Sequence, residues 1–179
     1  CRVKAIETAS RIELPSKLSI NFMPNAIYEP ETCLAKTLST ARKTGFDKKN
    51  IIFEVTEQEK VVSQDFLVDV FEAYRKEGFM TAIDDFGAGH SGLNLLSDFQ
   101  PDIIKIDMKL IRDIDSNKVN QVLVKGILDI AEQLGIRIIA EGIETENEFK
   151  YLQDAGVSLM QGYFFQKPML EAIQPVVFR

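Results

Sequence analysis

Met80-Thr-Ala-Ile-Asp-Asp-Phe-Gly-Ala-Gly-His-Ser-Gly92 puts two adjacent carboxylates, Asp84 and Asp85, at the end of a short β-rich run and a glycine-rich loop directly behind them. Met80–Asp84 (MTAID) is one of six such runs. The others are Leu18–Phe22 (LSINF), Ile51–Thr56 (IIFEVT), Ile103–Asp107 (IIKID), Ile136–Ala140 (IRIIA) and Leu159–Phe165 (LMQGYFF). Helical periodicity fills the intervals. Leu34, Leu38 and Ala41 share one face, as do Phe66, Leu67, Val70, Phe71 and Tyr74. Val119, Val122, Leu123, Gly126, Ile127, Ile130 and Leu134 form the longest stripe. Gly45, Gly78, Gly135 and Gly156 follow helical stripes where a left-handed capping residue belongs.

Repeated β–α units predict parallel strands covered by helices, in a doubly wound sheet or a barrel. The polar residues decide between them. Glu54 and Glu57, Asp84 and Asp85, Lys105 and Asp107, Glu141 and Glu144, and Gln161 all fall in or just after the C-terminal half of a run. A (β/α)8 barrel gathers such ends from many strands on one face, whereas a doubly wound sheet uses one crevice. The expected fold is therefore α/β, an incomplete (β/α)8 TIM-like barrel with about six of its eight strands. Residues 1–14 read as a helix leading into the first strand, so the chain is expected to lack the strands before it. No linker or low-complexity tract interrupts residues 1–179, which predicts one domain and no second.

Composition narrows the function. The 179 residues are 45% hydrophobic and carry a formal net charge of -6, enough for one sizeable core and unsuited to a DNA or RNA duplex, whose phosphates call for clustered Lys and Arg. Two cysteines, Cys1 and Cys33, suit a reducing compartment. No apolar run reaches the ~20 residues of a membrane span. A cytoplasmic location is expected.

Carboxylates inside strands need a reason, because burying one unpaired costs several kcal/mol. Several on converging strand ends, with Lys105 the one strand-borne cation aimed the same way, point to a metal site. An all-oxygen ligand set suits Mg2+, Mn2+ or Ca2+ better than Zn2+. Lys105 can hold a water or neutralise phosphate charge, and Gln161 offers an amide to orient water or substrate. His90, the only histidine, has no nucleophile beside it in sequence.

In order, SINFMP, FEVTE, DDFGAGHSGL, PDIIKID, IIAEGIE and LMQGYFF resemble the successive signatures of EAL domains, over roughly Leu18 to Pro168. The resemblance implies hydrolysis of the bacterial second messenger cyclic di-GMP to linear pGpG by a two-metal mechanism. It implies Asn21, Glu54, Asp84 and Asp85 as metal ligands, and Lys105, Glu141 and Gln161 as catalytic residues, with Gln161 also contacting substrate. Glu57 resembles the glutamate that anchors the DDFG loop, a loop that in this family takes part in dimerisation. Two divalent cations, Mg2+ or Mn2+, are implied, with Ca2+ inhibitory. A homodimer and an upstream sensory domain are implied partners. Three departures stand out: the Glu-Ala-Leu triplet that names the family is absent, His90 stands where Tyr is common, and Met23 where Ser is common. The alternative expectation is a non-catalytic cyclic-di-GMP receptor or protein-interaction module derived from an EAL domain.

Overall fold

The computed structural model describes residues 2–23, 30–57, 64–89 and 92–173. Cys1 and His90 lie outside them. The element order is α1 (Arg2–Arg11), β1 (Leu18–Asn21), α2 (Pro30–Thr44), a 3-10 turn (Lys48–Asn50), β2 (Ile51–Thr56), α3 (Gln64–Lys76), β3 (Met80–Phe86), α4 (Gly92–Asp98), β4 (Ile103–Ile106), α5 (Met108–Ile111), α6 (Lys118–Leu134), β5 (Arg137–Ala140), α7 (Glu146–Asp154) and β6 (Leu159–Met160). The strands follow chain order in the sheet, β1-β2-β3-β4-β5-β6. Doubly wound sheets reverse that order at a switch point, and this one does not. The parallel α/β class is that of an incomplete TIM-like barrel, as expected.

The chain forms two compact units. The first comprises Cys1–Val55, Glu59–Ala82 and Leu170–Ile173. Its β1 and β2 pair in parallel, Ile20 beside Phe53 and Asn21 beside Glu54. Strand β2 is buried from Ile51 to Val55, as a strand covered on both faces must be, which is why it reads as a continuous apolar run broken only by Glu54. The expected α3 face is the inward one: Leu67, Val70, Phe71 and Tyr74 are at most 1% exposed. Phe22 meets Phe71 edge-on at 5.5 Å and 90°, and Phe53 lies against Tyr74 at 4.3 Å and Phe79 at 5.2 Å. The edge-to-face pairs Phe22–Phe71 and Phe53–Phe79 favour one arrangement of rings over many. The Arg2 guanidinium of α1 lies 5.5 Å from the centre of the Phe53 ring, capping this cluster.

The second unit comprises Thr56–Gln58, Ile83–Met169 and Gln174–Arg179. β4 and β5 pair in parallel with Lys105 beside Ile139, and β5 pairs with β6. Ile106, Ile111, Ile114, Val124, Ala140, Ile143, Leu152 and Val157 form its core, with Phe149, Phe164 and Phe165 packed on it. Helix α6 starts on the Asn117 side chain, which accepts from Val119 and Asn120 N–H, and ends on Gly135 at φ 68°. Both ends thus satisfy backbone groups that the helix leaves over.

Two expectations need correction. The last run was expected to be strand from Leu159 to Phe165, but β6 ends at Met160. From Gln161 the chain turns, with Phe164 N–H donating to Ile143 O and Phe165 N–H to Gly162 O. The long stripe on α6 does mark a helix, yet Val119, Val122, Leu123, Ile130 and Leu134 are exposed and the buried residues are Val124 and Ala131. Periodicity finds a helix; it cannot tell which of two apolar faces turns inward.

Phe71 has no exposed surface, so Phe71→Ala should cost about 3–5 kcal/mol of stability by loss of contact and creation of a cavity. Urea unfolding should show this as a lower midpoint with little change in slope.

Candidate active site

The second unit gathers its polar residues at strand ends. Asp84 and Asp85 close β3, Lys105 lies in β4, Asp107 follows it, Glu141 follows β5 and Gln161 follows β6. Lys105 Nζ lies 2.9 Å from Asp84 Oδ1 and 2.8 Å from Glu141 Oε1. One oxygen each from Asp84, Asp85 and Glu141 falls within 4.8 Å of the others. The Asp107 carboxyl lies near enough to Asp85 to act on its titration. Four acidic groups thus crowd around one ammonium. Asp84, Lys105 and Asp107 are each less than a tenth exposed, so water screens little of the repulsion.

The titration behaviour follows. Burial, then the charges of Asp84 and Asp107, push the Asp85 carboxyl above its usual range. Burial pushes Glu141 up to about 7, against the pull of Lys105 and with further help from Asp84. A group of carboxyl oxygens converging on one point, with more acid than the neighbouring lysine can balance, is what a hard cation fits.

Local structure explains why these groups meet. Asp85 has φ 54°, a left-handed turn at the end of β3 that Asp tolerates better than most residues; Asp84 Oδ1 accepts from its N–H at 3.1 Å. Behind it, the Glu57 carboxylate accepts from Gly87 N–H at 2.8 Å, Gly89 N–H at 3.1 Å and Gly92 N–H at 2.7 Å. One buried carboxylate therefore ties down Gly87, Gly89 and Gly92 together. A Cβ at Gly92 would come 3.0 Å from that carboxylate, so glycine is what lets the amide approach.

The loop carrying Glu141 is fixed from both sides. A Cβ at Gly162 would lie 2.0 Å from Ile143 O, and one at Gly142 would lie 2.4 Å from Met108 Cβ. Gln161 N–H donates to Ala140 O and Ile143 N–H to Gln161 O. Further along, Glu148 caps α7 in a reciprocal box with Thr145 and also accepts from Asp113 N–H and Glu144 N–H. Burial alone would raise the Glu148 pKa; the backbone donors outweigh it and hold it low. Arg112 Nη1 pairs with Glu144 at 2.7 Å.

Of the site residues expected from sequence, Asp84, Asp85, Lys105 and Glu141 come together. Gln161 sits beside the Glu141 loop through its backbone and is exposed. In the first unit, register sets Asn21 next to Glu54 on adjacent strands, so both side chains leave on the same face. Asn21 is exposed and Glu54 buried. Glu57 accepts from three amides of the loop that follows Asp85. Asp107 reads in the sequence only as a strand-end acid; its nearness to Asp85 is a tertiary fact. The Thr145-Glu148 box was legible as Thr-x-x-Glu and passed over.

This is a carboxylate-and-lysine site at the strand ends of a parallel α/β fold. The EAL-domain model matches residues 2–168, and the chain belongs to that family. It is 34% identical over 164 residues to the probable cyclic di-GMP phosphodiesterase PdeG of Escherichia coli K12, covering 90% of this chain and 32% of PdeG. The chain thus spans about a third of that relative's length. A crystal structure of a standalone versatile EAL protein from Vibrio cholerae O395, in a c-di-GMP-bound form, matches with TM-score 0.94 and 51% identity over 99% of this chain and 75% of the other. The manganese and cy-diGMP complex of Klebsiella pneumoniae BlrP1 matches at TM-score 0.92 and 36% identity, over 99% of this chain and 45% of the other.

Glu57→Ala would strip three amides of their acceptor, each such bond to a charged group contributing roughly 1.5–3 kcal/mol. Hydrogen exchange at Gly87, Gly89 and Gly92 should then quicken while the α6 amides keep their protection. The pH dependence has a definite sign. Glu141 rises from its ordinary 4.5 to about 7 on folding, so between those values the folded state holds a proton that the unfolded chain has released. In protein freed of metal by a chelator, stability should fall as pH rises through that window, by up to about 1.4 kcal/mol per pH unit for one proton. Thermal midpoints at pH 5 and pH 8 should differ accordingly, and Glu141→Gln should flatten the difference.

Proposed function

We propose that the protein hydrolyses cyclic di-GMP to linear pGpG with divalent cations, Mg2+ or Mn2+, as the output domain of a cytoplasmic signalling protein. The observation that carries this reading is Lys105 clamped between Asp84 and Glu141, with Asp85 and Asp107 alongside. Asn21, Glu54, Asp84 and Asp85 would hold the cations. Such ions, when bound, offset phosphate charge and make water a stronger acid. They also account for an acidic protein binding an anionic dinucleotide.

The chain's own groups do the rest. Lys105 Nζ, fixed by two carboxylates, donates toward the attacking water or a phosphate oxygen and stabilises the charge that builds there. Glu141, with a pKa near 7, takes the proton of the attacking water. Water oxygen bonds to phosphorus, the bond from phosphorus to the 3′ oxygen breaks, and the departing 3′ oxygen takes up a proton. Gln161, beside the Glu141 loop, orients water or substrate through its amide. Asp107, near Asp85, adds negative charge that favours a cation beside them. We read residues 1–179 as one EAL domain that works as a homodimer. PdeG, about three times as long, supports a further sensory domain.

The test is chromatography of cyclic di-GMP incubated with the protein. Mg2+ or Mn2+ should give pGpG, and a chelator or Ca2+ should suppress it. Asp84→Asn should abolish turnover, and Lys105→Ala should slow it about 10²–10³-fold. Tight binding of cyclic di-GMP without turnover, with either metal present, would sink the catalytic reading in favour of a receptor.

A further inference from the structure

The formal charge of -6 is unevenly placed. In the first unit, Arg11 ends α1 and Lys17 precedes β1. Arg42 and Lys43 end α2, Lys48 and Lys49 lead into β2, and Arg75 and Lys76 end α3. These connections thus hold eight of the chain's 21 Lys and Arg, but only three of its 27 Asp and Glu: Glu13, Asp47 and Glu77. Parallel strands with helices returning between them bring such connections to one end, where β1, β2 and β3 start. Contacts confirm that they meet. Lys17 Nζ donates to Lys49 O at 3.0 Å, and Lys48 Nζ lies 3.8 Å from Glu77. Arg11 is offset by its ion pair with Glu171. Of the others, all but the half-buried Lys48 are exposed.

Cations near helix C-termini are favourable in themselves, because they complement the helix dipole. That does not account for this cluster. Helices α4, α6 and α7 of the second unit have no basic residue in their last turns. The connections from them to β4, β5 and β6 hold Asp98, Asp102, Glu132 and Asp154 instead. The first unit is therefore basic at the end where its strands start, and the second unit is acidic at its own. A compact group of like charges costs repulsion in the free protein, which an anionic surface removes.

We propose that this end of the first unit docks on the anionic headgroups of a lipid bilayer. No large apolar side chain is exposed in these three connections; Ile12, Leu14 and Phe46 are half-buried, and Tyr74 and Phe79 are buried. A protein partner held specifically calls for apolar or aromatic anchors in pockets. A nucleic-acid duplex calls for an element laid along a groove, which short turns between helix and strand do not supply. A lipid surface needs only several cations on one side, each contributing about fivefold to the partition at moderate salt. The opposite ends of β1 and β2 carry Asn21 and Glu54, so docking leaves those side chains facing away from the lipid. The surface acts without catalysis, and its test needs none.

Co-sedimentation of the purified protein with vesicles tests this, using phosphatidylcholine alone or with about a third phosphatidylserine. The mixed vesicles should capture the protein and the neutral ones should not, and salt at roughly 0.5 M should release it at least tenfold. Lys43→Glu, Lys49→Glu and Lys76→Glu together should weaken capture at least about 100-fold. Circular dichroism, the melting midpoint and hydrolysis of cyclic di-GMP without vesicles should stay as before, since all three side chains are exposed. Lys118→Glu, Lys125→Glu and Lys150→Glu together change the net charge equally from exposed positions in the second unit, and should leave capture within a fewfold of wild type. Equal capture by neutral vesicles, no capture by either kind, or equal loss in the two triple variants would overturn the surface. Tighter binding to a DNA duplex than to mixed vesicles at the same salt would overturn the lipid assignment in favour of nucleic acid.

Discussion

Lys105 held between Asp84 and Glu141 is the contact on which the second unit's chemistry depends. A buried ammonium is costly without anionic partners, and buried carboxylates are costly without a cation. Each of the three comes from a different strand or strand end, so β3, β4 and β5 must be in register for any of them to be satisfied. The acids outnumber the base, with Asp85 and Asp107 alongside; burial first, and then neighbouring carboxylates, raise the pKa values of Asp85 and Glu141. Repulsion among these acids is destabilising to the protein alone, and a cation placed among them would relieve it.

The supporting structure is built from hydrogen bonds to carboxylates and from glycines that permit close approach. Glu57 binds three amides of the Asp84-Asp85 loop, and Glu148 binds the amides that flank the Glu141 loop. Neither needs to touch a substrate to matter, because a loop displaced by an ångström misplaces its acid. Gly162 and Gly142 act in the same sense: a side chain at either would push the Glu141 loop off its neighbours. The hydrophobic parts, the ring cluster around Phe53 and the isoleucine core around Ile106, make the strands rigid enough for this to hold.

Much of this was legible in the sequence for one reason. Strand-borne carboxylates such as Glu54 and Asp84 are anomalous where they stand, and an anomaly repeated at one end of successive strands has few explanations. The places of most strands and helices and the glycine caps could be read because they rest on local periodicity and local backbone conformation. Even so, the last run misled. Tyr163, Phe164 and Phe165 look like strand, but Phe164 and Phe165 pack against Phe149 as a turn, and only the neighbouring helix decides that.

Sequence alone determined the family, the α/β class and the identity of the acids, since each is carried by residue types at fixed short spacings. Tertiary structure decided who is paired with whom. The Lys105 clamp joins residues about twenty to thirty-six positions apart, and distance along a chain says nothing about such pairs until the strands are in register. It also decided that the most regular apolar stripe, on α6, faces outward, because burial is a property of what a helix packs against and not of the helix.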